Sequence, residues 1–173
     1  NTVCKTCEGT LFARYDLEYT KNNLRKEDLL KREANMWRYK ELLPVLNKNN
    51  IISLGEGYTP IIALKKIGES LGMNNLYTKD DGIMPTGTFK ARGQSSAISK
   101  AKEIGLKTLV LASAGNAGGA LAAYSSKAGL ESYIFMPKDV PKINIDECLL
   151  FGANVILVDG LINDAGMIAS SCA

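Results

Sequence analysis

The stretch TLVLASAGNAGGALAAYSSKAGLESYIFMPKDVPKINIDECLLFGANVILV, residues 108–158, decides the fold. Within it, Thr108–Ala112, Tyr133–Met136 and Val155–Val158 are short apolar runs of strand length. Between them lie two helical stretches. Asn116–Ala128 is closed by Gly129, and Pro141–Phe151 has proline at its first turn and Gly152 after its end. Strands separated by helices, each with a glycine exit, imply a parallel sheet covered on both faces. Right-handed connections leave few arrangements open. The fold class is therefore α/β, a three-layer parallel-sheet domain.

Outward from this core the same pattern continues. Thr88–Ile104 reads as a helix closed by Gly105, Leu76–Lys79 as a short strand, and Leu161 onward as a last helix. Leu64–Leu71 is a helix with Gly72 past its end. Ile51–Ile62, holding Gly55, Gly57 and Pro60, is a loop between short strands. Lys21–Leu43 predicts one surface helix ended by Pro44, and Leu11–Leu17 a short strand. Residues 1–75 thus form a segment with a CxxC pair, a helix and connecting loops, and residues 76–173 the α/β unit.

Composition removes several function classes. The chain has 173 residues, 46% hydrophobic and 23% charged, as in an ordinary globular protein. Its 21 basic residues are dispersed and the net charge is +3, so no nucleic-acid surface is indicated. No apolar run approaches the roughly 18 residues of a membrane span. The N-terminus has no basic-then-apolar signal pattern, which makes cytoplasmic residence the default. Histidine is absent, which excludes catalytic triads, Cys/His dyads and histidine metal sites within these residues. Cys4 and Cys7 have the spacing of one zinc knuckle but no second nearby pair, so no metal is expected. Cys148 and Cys172 read as small buried apolar residues. The start at Asn1 and the uncapped helical pattern at Ala173 read as the ends of a fragment, with an exposed apolar patch expected where more chain would pack.

Two elements carry chemistry. The first is Pro85-Thr86-Gly87-Thr88-Phe89-Lys90-Ala91-Arg92-Gly93. A lysine acts as an imine-forming nucleophile only as the neutral amine, which burial, a nearby cation or a helix N-terminus favours. Thr88 as N-cap puts Lys90 in the first helical turn, Pro85 and Gly87 make a tight turn before it, and Arg92 and Phe89 are close. A bare lysine, by contrast, is ordinarily a solvated one. The second element is Leu111-Ala112-Ser113-Ala114-Gly115-Asn116-Ala117-Gly118-Gly119, where a strand gives way to a helix at the carboxyl edge of the sheet. Its small residues let backbone N–H groups face a carboxylate or phosphate, with Asn116 as donor and acceptor. A routine glycine-rich connector has the same composition. Tyr58, Lys79, Asp80 and Asp81 read as solvated loop residues.

In order and separation, these two elements resemble those of the pyridoxal-phosphate enzymes of the tryptophan synthase β-like family (fold type II). The resemblance runs over most of the chain. It is greatest to the threonine synthase branch, through Cys4-Lys5-Thr6-Cys7-Glu8-Gly9, Tyr15-Asp16-Leu17, Met36-Trp37-Arg38-Tyr39, Leu42-Leu43-Pro44-Val45 and Ser53-Leu54-Gly55-Glu56-Gly57-Tyr58-Thr59-Pro60. It implies pyridoxal phosphate as cofactor and a small amino-acid substrate, O-phospho-L-homoserine, converted with water to L-threonine and phosphate. It implies that Lys90 holds the cofactor as a Schiff base and later shuttles protons. Phe89 packs beside the cofactor ring, and Asn116 bonds its phenolic oxygen. Ser113, Ala114, Gly115, Asn116 and Ala117 clasp the substrate carboxylate. Residues 1–75 would belong to the large domain and residues 76–173 to the small one, with the rest of the enzyme absent; a homodimer is compatible with this. Branch members often carry Ser where Thr88 stands and Asp where Ala91 stands, and Ala91 is similar to the dehydratase branch. Dehydration of serine or threonine, β-replacement, and a non-catalytic binding module are the alternatives.

Overall fold

The computed structural model describes residues 3–172; Asn1, Thr2 and Ala173, the two termini of the fragment reading, lie outside it. In chain order the elements are α1 (Leu17–Asn23), α2 (Lys26–Leu30), β1 (Ile61–Ala63), α3 (Lys65–Leu71) and β2 (Tyr77–Lys79). They are followed by α4 (Lys90–Glu103), β3 (Thr108–Ala112), α5 (Asn116–Ala128), β4 (Glu131–Pro137), α6 (Lys142–Leu150), β5 (Asn154–Val158) and α7 (Ile162–Ser171). Short 3₁₀ segments occupy Met36–Leu42, Lys48–Asn50, Asp81–Ile83 and Pro85–Gly87.

The strands β3, β4 and β5 form one parallel sheet in that order, with Val110 opposite Tyr133 and Phe135 opposite Ile156. Central β4 is the most buried strand, whereas edge strand β3 is only half-buried beyond an exposed Thr108. The period of two sends Ile134 and Met136 to one face, against Leu121, Ala122 and Tyr124 of α5 and Cys148 of α6. Tyr133 and Phe135 face the other side, against Ala165 and Ala169 of α7. Two helical layers therefore enclose the sheet, which is the three-layer α/β architecture expected. Full burial of side chains such as Ile134 and Met136 contributes about 1.5–3 kcal/mol each.

The N-terminal third departs from expectation. Leu11–Leu17 is not a strand: the Asp16 carboxylate accepts the Tyr19 N–H at 2.8 Å and so starts α1 at Leu17. Lys21–Leu43 is not one helix. Leu24 and Arg25 are extended, and Asn35 caps a new 3₁₀ segment by accepting the Trp37 N–H at 2.9 Å. Neither α1 nor α2 buries a residue, so the helical periodicity has no surface to pack on. Ile51–Ile62 has no strand at its start. At its end, β1 pairs antiparallel with β2, apart from the main sheet. Pro141 stands at the cap of α6, just outside its first turn. Cys148 is buried, but Cys172 is exposed at the end of α7.

A buried carboxylate docks the N-terminal segment on the α/β unit. Glu56 is fully buried; its Oε1 accepts from Trp37 Nε1 at 3.0 Å and from the Ser95 hydroxyl at 2.6 Å. Its Oε2 accepts from the Leu54 N–H at 2.9 Å and from the Tyr124 hydroxyl at 2.6 Å. Nearby, the Ile52 N–H donates to Ser99 Oγ at 2.8 Å. Gly57 lies at φ +105, and a Cβ there would meet the Met36 backbone nitrogen at 2.6 Å, so only glycine fits. Apolar side chains left exposed near the C-terminal end include Leu149, Leu150, Leu161 and Met167.

Candidate active site

Helix α4 reaches the amino edge of the sheet through residues 104–107, and α5 ends at that same edge, where the Glu131 N–H donates to the Lys107 carbonyl at 2.9 Å. The two helices pack side by side, so both begin at the opposite, carboxyl edge. Lys90 is the first residue of α4, and Asn116 the first of α5. The two elements singled out in the sequence are thus at one end of the same helix pair, and the Pro85–Gly87 turn before Lys90 packs on α5.

Local chemistry explains the turn. Thr86 and Gly87 both have left-handed backbone, φ 61 and φ 64, and the Gly87 N–H donates to the Met84 carbonyl at 2.8 Å. Thr88 is extended, and its Oγ1 accepts the Lys90 N–H at 3.4 Å, a cap a serine would also make. Phe89 is the residue that precedes the helix by its backbone angles, one place later than the N-cap expected. Ala91 is fully buried in the core with Met84, Ile98 and Leu121, so its small size serves packing. Lys90 is exposed, its ammonium 4.6 Å from the centroid of the Phe89 ring, and Phe89 itself is 59% exposed. Arg92 turns away to a carboxylate: Asp81 receives Arg92 Nη2 at 3.0 Å and the Thr59 hydroxyl at 2.7 Å. The Arg92 hydrogen bond, then that from Thr59, holds the Asp81 carboxyl below its usual range. Asp81 is thus a tether rather than a solvated loop residue. Lys79 is one too, donating to the Thr59 carbonyl at 2.7 Å.

The Ser113–Gly119 turn is organised from beneath. Ser113 is buried, and its hydroxyl accepts the Gly115 and Gly118 N–H groups at 3.2 and 3.0 Å. The Asn144 amide of α6 donates to the Ala114 carbonyl at 3.2 Å. Gly118 and Gly119 allow close packing. A Cβ on Gly118 would lie 2.9 Å from Met136 Cε, and one on Gly119 would collide with the Glu147 carboxylate. Burial raises the Glu147 carboxyl above its ordinary range. Among the described residues, nothing accepts the N–H groups of Ala114, Asn116 and Ala117, and Ala114 and Asn116 are exposed. Three N–H donors at or just before the start of a long helix are therefore unpaired, an arrangement that suits a carboxylate or phosphate.

Sequence reasoning did not find Glu56, Trp37, Ser95 or Tyr124 as a unit. A single glutamate between two glycines has the look of a solvated loop residue, and its donors come from distant stretches.

Residues 52–173 match the family model described as pyridoxal-phosphate dependent enzyme. The chain is 38% identical over 166 residues to the threonine synthase of Methanocaldococcus jannaschii, covering 94% of this chain and 41% of that one. It is 35% identical over 165 residues to the threonine synthase of Methanosarcina acetivorans, covering 94% of this chain and 40% of that one. The fold matches the solved holo diaminopropionate ammonia lyase of Escherichia coli with a TM-score of 0.65 at 22% identity, covering 72% of this chain and 38% of that one. The chain thus spans about two fifths of the curated relatives' length, and within that span family model, relatives and fold agree. On these grounds it belongs to the pyridoxal-phosphate dependent enzymes of fold type II.

Proposed function

We propose that the whole protein is a threonine synthase, converting O-phospho-L-homoserine and water to L-threonine and phosphate. This chain would supply its cofactor lysine and its substrate-carboxylate loop. The supporting observation is the juxtaposition, at one sheet edge, of an accessible primary amine on Lys90 with the unpaired N–H donors of Ala114, Asn116 and Ala117. Likeness to threonine synthases covers 94% of the chain, including the N-terminal segment that lies before the matched family model.

The residues present fit pyridoxal phosphate: an amine with no carboxylate partner among the described residues, an exposed aromatic face beside it, and free backbone donors. When bound, the cofactor supplies an electron sink for carbanion chemistry at the substrate. Lys90 Nζ would provide the covalent attachment and would hold or move a proton beside the substrate carbons. Phe89 would offer its exposed ring to the cofactor, and the Asn116 amide would donate to the cofactor's phenolic oxygen. The N–H groups of Ala114, Asn116 and Ala117 orient the substrate carboxylate with the α5 dipole behind them. Ser113 and Gly115 act on the same loop from beneath, through the hydroxyl that fixes its shape. In the whole enzyme, residues 1–75 belong to the large domain and residues 76–173 to the small one. The same proposal includes cytoplasmic residence and a place in amino-acid biosynthesis; no described helix is long and apolar enough to cross a membrane.

Borohydride reduction of the full-length protein with pyridoxal phosphate, followed by peptide mapping, tests the site. One pyridoxyl adduct on Lys90, lost in Lys90→Ala, is expected. Scattered adducts or none would overturn the assignment in favour of a binding module. Phosphate release from O-phospho-L-homoserine, against ammonia and a 2-oxo acid from threonine, decides between synthase and dehydratase.

A further inference from the structure

We propose that Glu56 is a positioning residue that sets the Lys90 amine and the α5 anion loop in register with each other. This rests on the assignment of Lys90 and Asn116 to the cofactor site. Ser95 lies on α4 about one and a half turns beyond Lys90, and Tyr124 lies on α5 about two turns beyond Asn116. The Glu56 carboxylate accepts from both, at 2.6 Å each, so a single group bridges the two helices whose first residues carry the site. Trp37 and Leu54 complete its shell at 3.0 and 2.9 Å.

Every contact of that carboxylate comes from a donor. The indole N–H and the Leu54 backbone N–H can only donate, and the two hydroxyls have acceptors in reach only through Glu56 or the Ile52 carbonyl. Burial, then the hydrogen bond to Glu56 and its charge, keeps the Tyr124 phenol protonated by raising it above its ordinary range. A glutamine would turn an amide N–H₂ toward one pair of donors. Apolar packing would keep α4 and α5 together, but short directional bonds to one carboxylate fix their relative height as well. The same segment also touches the turn that delivers Lys90. The Gly57 N–H points to Met84 Sδ at 3.2 Å, and Thr59 bonds Asp81, the partner of Arg92. Glu56 itself does not touch the reacting groups.

The test uses the full-length enzyme loaded with pyridoxal phosphate, comparing Glu56→Gln, Tyr124→Phe, Ser95→Ala and the Tyr124→Phe/Ser95→Ala double variant. Urea midpoints report folding, the cofactor's visible absorption band reports its seating, and kcat and KM are measured on O-phospho-L-homoserine. The two hydroxyl deletions remove few atoms and remain informative even where Glu56→Gln does not fold. Positioning predicts a shifted band and a kcat about tenfold lower with KM little changed. It also predicts that the loss in the double variant is smaller than the product of the two single losses, because both act through one carboxylate. A lowered urea midpoint with unchanged band and unchanged kcat per folded molecule would overturn it. So would effects of the two hydroxyls that multiply independently. Lys90→Ala separates the layers. If that variant still turns over substrate, the site assignment falls and this proposal with it. If it is inactive while Tyr124→Phe and Ser95→Ala are unaffected, this proposal alone falls.

Discussion

Gly118→Ala and Gly166→Ala are the same chemical change inside two helices, and the structure gives them opposite signs. A Cβ at Gly118 would stand 2.9 Å from Met136 Cε, 3.1 Å from Ile134 Cγ2 and 3.4 Å from Cys148 Sγ. The Met136 methyl can swing aside, but Ile134 is a β-branched residue on the central strand and fully buried. Overpacking of this kind costs about 1–3 kcal/mol. A Cβ at Gly166 in α7 meets nothing within 4 Å. There the helix gains up to about 1 kcal/mol, since alanine loses less backbone entropy than glycine. Gly118 is in the first turn of α5 and Gly166 in the interior of α7, so the interior propensity gain does not rescue Gly118→Ala, which is expected to be the less stable of the two by at least the packing cost of about 1–3 kcal/mol. Urea unfolding of the two variants beside wild type measures that difference directly. Equal, stabilising effects would refute the close seating of α5 on β4 that places the Ser113–Ala117 loop.

Two further outcomes follow from the titrating groups. Glu103 accepts the Asn47 and Leu46 N–H groups and the Lys100 ammonium at 2.6–2.8 Å. Those bonds, Asn47 first, lower its carboxyl from 4.5 to about 2. Its folded pKa is depressed, so its contribution is complete above pH 4.5 and is lost as pH falls toward about 2. Melting temperature against pH is expected to be flatter for Glu103→Gln across that window, and parallel curves would refute the assignment. Among the thiols, hydrogen bonds from Thr6 and then Cys7 lower Cys4 to about 7, while burial and then Glu147 push Cys148 up to about 11. Iodoacetamide near neutral pH is expected to label Cys4 first and Cys148 only on unfolding. Native-state labelling of Cys148 as fast as exposed Cys172 would refute that.

What the sequence disclosed, and what it did not, divides by range. From Leu64 onward most helices are followed by a glycine, Gly72, Gly105, Gly129 and Gly152, so local pattern was enough to place them. Asn116–Ala128 matches α5 residue for residue. In the N-terminal third, the decisive signals were single caps at Asp16 and Asn35 set in a charged stretch whose periodicity suggested one long helix. The site divides in the same way. Lys90 and Asn116 were legible because a helix start follows each glycine-bearing turn. The exposure of Lys90 and the turning of Arg92 to Asp81 were not, since both depend on chain from elsewhere. Glu56 was hidden for the same reason.

The Glu56 shell also bears on how the chain assembles. Its donors Ser95 and Tyr124 are 39 and 68 residues away along the chain, and Trp37 is 19 residues away on the other side. A partly docked form, with the carboxylate out of water but one donor still missing, would hold an under-satisfied charge in apolar surroundings and is penalised for it. The halfway states are thereby the least favourable ones. That penalty favours docking of the N-terminal segment and the two helices in one step.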